Sequence, residues 1–193
     1  MLKQLALATA FATAPFAAFA DWELDKSHTA IMFEVSHLGF SNTVGFFEEY
    51  DADITFDAGN LTATEVSFTI QADSINTLFA ARDNHVRGAD FLDVANFPEI
   101  TFVSTGVEQT SDTTAMLMGD LTIKGVTQPV SFDVVVNNIG PNPFNPNAAI
   151  AGFTITGEID RTDFGVNFAA PAVGAVMPIT INTELSNPNG LGS

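Results

Sequence analysis

The stretch G119-D-L-T-I-K-G-V-T-Q-P-V-S-F132 sets an alternating apolar run on each side of Lys124-Gly125. Alternation with period two marks a strand with one face in oil and one in water, and a short turn containing glycine joins two such strands into a hairpin. The pattern extends in both directions. Val66, Phe68 and Ile70 alternate with Ser67, Thr69 and Gln71, and Val130, Phe132, Val134 and Val136 with Ser131, Asp133 and Asn137. Phe153, Ile155 and Ile159 alternate with Thr154, Thr156 and Glu158, and Met177, Ile179, Ile181 and Leu185 with Thr180, Asn182 and Glu184. Further strands near 29–37, 44–56, 99–107 and 114–122 bring the count to about eight, with turn signals at 57–60 and 110–112. The fold class is therefore all-β. A sheet of that size stacks as a sandwich or closes as a barrel, and because closure removes the free edges an antiparallel eight-stranded barrel is expected. Such a barrel is either filled by its own side chains or holds one small ligand, and the alternation leaves both open.

One segment departs from the strand pattern. From Ile75 to Asn96 alternation is lost, and a short helical insertion is expected around Phe79 to Val86, covering a barrel end or a sheet face. The tract I139-G-P-N-P-F-N-P-N147 reads as a long exposed loop, since its prolines deny both helix and ladder.

Met1 to Ala20 carries one charge, Lys3, then an apolar stretch from Leu5 to Phe19 and the A-x-A signal Ala18-Phe19-Ala20. This reads as a secretory signal peptide cut after Ala20, leaving 21–193 as one domain. The chain has no cysteine, so an exported product has no disulfide to stabilise it. Beyond Ala20, five basic residues face all 23 acidic ones, a formal charge of −18. That charge argues against nucleic-acid binding and against electrostatic docking on anionic membranes.

The residues give no affirmative sign of an enzyme. There is no G-x-S-x-G elbow and no glycine-rich phosphate loop. The three histidines, His28, His37 and His85, show no metal-ligand spacing, and His28 and His37 stand about 30 Å apart along one expected strand. No metal or cofactor is expected. The aromatic balance is unusual, with eighteen Phe against one Trp and one Tyr, and Phe suits a dry interior because it needs no polar partner. Arg82, Asp83 and Arg87 gather in the insertion, and Arg161 and Asp163 repeat the theme; either these are solvated pairs, or carboxylates tie the arginines down and fix the insertion as a cap.

Seven segments in order carry a resemblance: W22-x-L-D-x-x-H28, F33-E-V-S-H-L-G39, S74-I-N-T77, R82-D-x-H-x-R87, D90-F-L-D-V-A-N-F-P-E-I-T-F102, G119-D-L-T-I-K-G-V-T-Q-P-V130 and D160-R-T-D-F-G165. Over 22–185 the chain resembles the YceI-like family of bacterial polyisoprenoid-binding proteins. The resemblance implies an extended lipocalin-like barrel in the periplasm whose apolar cavity holds a polyisoprenoid, an isoprenoid quinone or another long-chain amphiphile, without enzymatic activity. Thr29 stands where relatives often have serine, which keeps the hydroxyl. The expected tail contacts are Ile31, Phe33, Val35, Val66, Phe68, Ile70, Phe102, Phe132, Val134, Phe153 and Ile155, with His37, Arg82 and Arg161 for head-group or gating roles and Asp83 as an arginine's structural partner. A one-residue slip would turn any of these strands to its other face. The alternative is a solid-core periplasmic protein that meets a partner through its acidic surface, and free edges or the Pro-Asn loop could serve a homodimer.

Overall fold

The computed structural model describes residues 22–191. The expected signal peptide, Met1 to Ala20, lies outside the described residues. Among the described residues, ten strands form one antiparallel sheet: β1 (Glu23–His37), β2 (Ser41–Phe47), β3 (Tyr50–Thr55), β4 (Glu65–Gln71), β5 (Ile75–Asn76), β6 (Glu99–Gln109), β7 (Thr114–Ile123), β8 (Val126–Asn142), β9 (Asn145–Asp160) and β10 (Val176–Asn187). Their order is β3-β4-β6-β7-β8-β9-β10-β1-β2-β5. A helix α1 (Ala80–Arg87) follows β5, one residue offset from the expected helix.

The opening stretch is the β7–β8 hairpin. Lys124 and Gly125 both take positive φ, 51° and 74°, and pair Ile123 with Val126 across the turn. Two turn residues with φ above zero match the right-handed twist of the flanking strands.

Two expectations are corrected. The count is ten, because the run 44–56 breaks at Glu48-Glu49. There the Glu48 amide turns to Ser74 and the Glu49 carbonyl accepts from the Gln71 amide, so the chain passes from the β1 ladder to the β4 ladder and leaves room for β5 against Phe46 and Phe47. The ladder does not close, since β3 and β5 end the order. The Pro-Asn tract is also not a loop: β8 and β9 continue through it, and Pro141 pairs with Ala149. Beyond Val136, β8 has lost its β7 neighbour, so a proline there can leave an edge-facing position without a donor at no cost to a ladder.

The free edge of β3 lies along the N-terminal half of β1 and is held by side chains. Tyr50 Oη donates to the Thr29 carbonyl at 2.6 Å, and Lys26 Nζ lies 3.3 Å from Asp51 Oδ2. Exposed Asp51 and Asp53 keep this edge from pairing with another chain. Opposite it, β1 leaves the β10 register between Asp25 and Ala30. The Asp25 carboxylate organises this bulge, accepting from Ser27 Oγ at 2.6 Å and the Ser27 amide at 2.9 Å, with His28 Nδ1 at 2.9 Å. The Thr29 hydroxyl donates to the Asp25 carbonyl and meets Thr183, so the hydroxyl kept at 29 belongs to the same device. Glu184 Oε2 stands 3.9 Å from His28 Nδ1. W22-x-L-D-x-x-H28 therefore encodes a bulge.

The charges in this bulge give it a pH dependence. Hydrogen bonds from Ser27 and His28 hold Asp25 down to about 2, and the Asp25 bond and charge, with Glu184, raise His28 above its ordinary value. A lowered carboxylate stabilises the fold above its unfolded value of 3.8 and loses that contribution as pH falls toward 2. A raised histidine contributes fully below 6.5 and loses the contribution as pH rises through its folded value. Denaturant unfolding of the chain and of His28→Asn should therefore differ below pH 6.5, with the difference shrinking on the alkaline side; a constant difference would mean that the ionised pair contributes nothing.

Candidate functional site

The rolled sheet encloses an apolar cavity of about 460 Å³ that runs from Leu61 and Thr64 near one end to Phe168 and Val173 at the other. All eleven expected tail contacts line it: Ile31, Phe33 and Val35 from β1, Val66, Phe68 and Ile70 from β4, Phe102 from β6, Phe132 and Val134 from β8, and Phe153 and Ile155 from β9. The period-two reading thus chose the inward face of every strand it used. It omitted Leu117, Leu121 and Ile123 of β7 and Met177, Ile179 and Ile181 of β10, whose alternation carried the same signal. It also missed His85, Val86, Phe91 and Leu92, for which no periodicity exists.

The interior is hollow. Val66, Phe68, Ile70, Phe102, Val134 and Ile155 face inward yet remain only half-buried. Among the described residues, Phe164 and Asn187 are the largest side chains below 2% exposure, whereas a filled centre would bury many large apolar ones to that degree. A solid core, the alternative to a carrier, does not match this half-buried lining.

Glycines make the room. Gly45, Gly119 and Gly157 sit beneath the rings of Phe33, Phe102 and Phe132, so a Cβ at any of them would meet a ring. Each bare backbone leaves the space of a missing side chain to a ring from a neighbouring strand.

Packing concentrates at the two ends. At the base Trp22 meets Phe56 edge-on at 5.3 Å, and Phe56 meets Phe153 at 5.4 Å. At the mouth Ile100, Leu121, Ile123, Ile159, Phe164 and Val166 cluster beneath the insertion. Exposed His37, Arg82, His85 and Phe168 mark the opening, where His85, Phe91 and Phe168 contact one another with ring centroids 5.1–5.2 Å apart.

The insertion is fixed as a cap, though not by arginine–carboxylate pairs. Buried Asp83 accepts from the Thr77 amide at 2.8 Å and the Thr77 hydroxyl at 2.5 Å, so its partner is Thr77 and not an arginine. Burial opposes its charge, but the two Thr77 bonds, aided by Arg87 and Arg82, hold its carboxyl below the ordinary value. Arg82 donates to the Thr77 hydroxyl and carbonyl, and Arg87 to the carbonyls of Asp73 and Ile75. S74-I-N-T77 and R82-D-x-H-x-R87 are thus two halves of one staple. Arg161 is buried and donates to the carbonyls of Gly174, Val166 and Val173 at 2.9, 2.5 and 2.8 Å, with Phe91 below it at 5.9 Å. It lines the cavity, but its donors are committed to the wall. Of the three head-group expectations, His37 and Arg82 stand exposed at the mouth and Arg161 holds the mouth together.

The model of the YceI-like domain matches residues 22–185. The UPF0312 protein of Pseudomonas putida (strain W619) is 39% identical over 190 residues, covering 95% of this chain and 97% of that protein. Among solved structures, the Campylobacter jejuni YCEI protein superposes with a TM-score of 0.71 at 28% identity, over 77% of this chain and 87% of that one. A polyisoprenoid binding domain from Saccharophagus degradans, implicated in plant cell wall breakdown, shares the fold with a TM-score of 0.66 at 14% identity, over 88% of this chain and 99% of that one. The chain belongs to the YceI-like family.

Removing the Arg161 guanidinium leaves three carbonyls without their donors in a buried site. Arg161→Met should cost about 3 kcal/mol of stability and lower Tm by roughly 6–12 °C. An unchanged melting curve would mean that water replaces the guanidinium freely.

Proposed function

We propose that this member of the YceI-like family is a periplasmic, non-enzymatic binding protein or carrier that takes a long isoprenoid or similar lipid tail into the sheet's cavity. The observation that carries the reading is one apolar cavity lined by inward residues of most strands. The name of the Saccharophagus degradans neighbour, a polyisoprenoid binding domain, agrees with it. The A-x-A signal before Asp21 agrees with export. Polyprenyl compounds, isoprenoid quinones and other long-chain amphiphiles share the feature the cavity recognises, a flexible hydrocarbon tail.

Volume sets the length of tail enclosed. At about 30 Å³ per methylene-sized group, near the liquid volume of a water molecule, the cavity takes about fifteen carbons. Burying them contributes on the order of 12 kcal/mol at about 0.8 kcal/mol each, against roughly 4–15 kcal/mol for lost rigid-body freedom and further chain ordering. Affinity is then moderate and dependent on tail length. A longer tail leaves its remainder and its head group at the mouth, where His37 and Arg82 can hydrogen-bond to it, while Thr43, Thr64, Thr77, His85, Arg161 and Thr183 are the other polar residues of the lining.

The test begins with the protein purified without detergent from its own periplasm, denatured and extracted for mass spectrometry. A stoichiometric long-tailed lipid is expected. A clean protein that also refuses added quinone and long-chain lipid would overturn the reading. Phe68→Glu places a carboxylate in the wall and should abolish loading while the fold survives. Gly45→Val should drive the Phe33 ring into the cavity and shorten the longest tail retained by a few carbons, read from the extracted species; unchanged tail lengths would place the tail away from Phe33.

A further inference from the structure

Beside lining residues at one end of the cavity stand apolar side chains that cover nothing. Phe40 is 89% exposed, Leu78 75%, Phe79 61% and Leu38 51%, and Phe168 is also exposed. They come from three segments brought together at the opening. Leu38 and Phe40 tip the β1–β2 turn, beside cavity-lining His37, and the Leu38 amide is bonded to the Ala172 carbonyl. Leu78 and Phe79 follow cavity-lining Thr77, and the Phe79 ring lies 5.8 Å from the Arg82 guanidinium. Phe168 packs on His85 across the same opening.

Two further observations show that the display is built. Leu38 and Leu78 hold φ of 56° and 63°, a left-handed conformation that bulky residues rarely adopt, and Ala169 does the same at 56° beside Phe168. Each segment is also free of carboxylates in a chain that has 23: none occurs in 35–47, in 74–82 or in 164–183. Nearby Asp83 is buried against Thr77, and Asp90 pairs with His85. The three rim segments themselves thus carry no acidic side chain, and the exposed carboxylate of Asp90 reaches the opening only beside His85.

We propose that this rim is a membrane-docking surface, inserting Leu38, Phe40, Leu78 and Phe79 shallowly into a zwitterionic bilayer so that the cavity opens onto lipid. A bilayer fits better than a protein partner for two reasons. The rim is split over three segments instead of presenting a continuous face, and it adjoins an apolar interior of the same chemistry as acyl chains. Absence of carboxylates from these three segments lowers charge repulsion from lipid phosphates and spares the inserting side chains the cost of desolvating a charge. The purpose of docking rests on the tail-binding reading; the contact itself does not.

The experiment measures partitioning of the full chain onto phosphatidylcholine vesicles by flotation, and separately measures uptake of decylubiquinone in the absence of vesicles. Leu38→Ser, Phe40→Ser and Leu78→Ser combined should reduce partitioning by about a hundredfold or more, since each buried apolar side chain is worth roughly tenfold, and should leave uptake unchanged because none of the three lines the cavity. Phe40→Ser alone, at the most exposed of these positions, should reduce it by about tenfold and serves if the triple variant fails to fold. Wild-type protein that stays off the vesicles, or variants that partition like wild type, would overturn the docking surface. So would a wild-type dimer that the substitutions convert to monomer without any vesicle binding, since the occupant would then be a second copy. Failure of uptake with rim-dependent partitioning intact supports the docking surface and overturns only the tail-binding reading.

Discussion

Removing apolar surface from water ordinarily drives facing strands to fill the space between them, and here ten strands hold about 460 Å³ open instead. Stabilisation forgone at the centre has to come from the ladder and from the two ends. The ladder runs through every neighbouring strand pair. The ends are packed differently, with an aromatic cluster around Trp22 and Phe56 at the base and a hydrogen-bonded assembly around Arg161 and Thr77 at the mouth. A guanidinium is suited to the second task because its planar fork satisfies several carbonyls at once where the chain is too irregular to pair with itself.

The strands were legible because their faces differ so sharply in polarity. Phe68 between Ser67 and Thr69, or Phe132 between Ser131 and Asp133, can turn only one way once one side of the sheet is dry. Where pairing is decided by a distant neighbour, the local pattern misled. Nothing within 44–56 marks Glu48-Glu49 as a break, because the break is made by Ser74 and Gln71 arriving from elsewhere. Pro141 sits in a ladder for a similar reason: the β7 strand that would have made its missing donor costly has already ended.

The wall of the site was read more completely than its rim. Hydrophobic alternation identifies a wall residue one strand at a time, whereas the cap depends on contacts between segments. Asp83 reads naturally as an arginine's counter-ion, yet it turns to Thr77, six positions back, which two backbone and hydroxyl donors make the better partner. Arg161 looks like a free cation near an opening until the carbonyls of Val166, Val173 and Gly174 are seen around it. Nothing in the alternation singles out Gly45, Gly119 and Gly157, and only the rings beside them show what their missing side chains make room for.

The chain's single tryptophan sits at the end farthest from the mouth, one ring removed from the cavity through Phe56 and Phe153. An indole held there is shielded from solvent and from anything bound near the opening, yet touches the Phe56 ring, which lines the cavity and in turn meets Phe153. Its intrinsic fluorescence is therefore a built-in depth gauge, silent to shallow occupants and responsive to those that reach the floor.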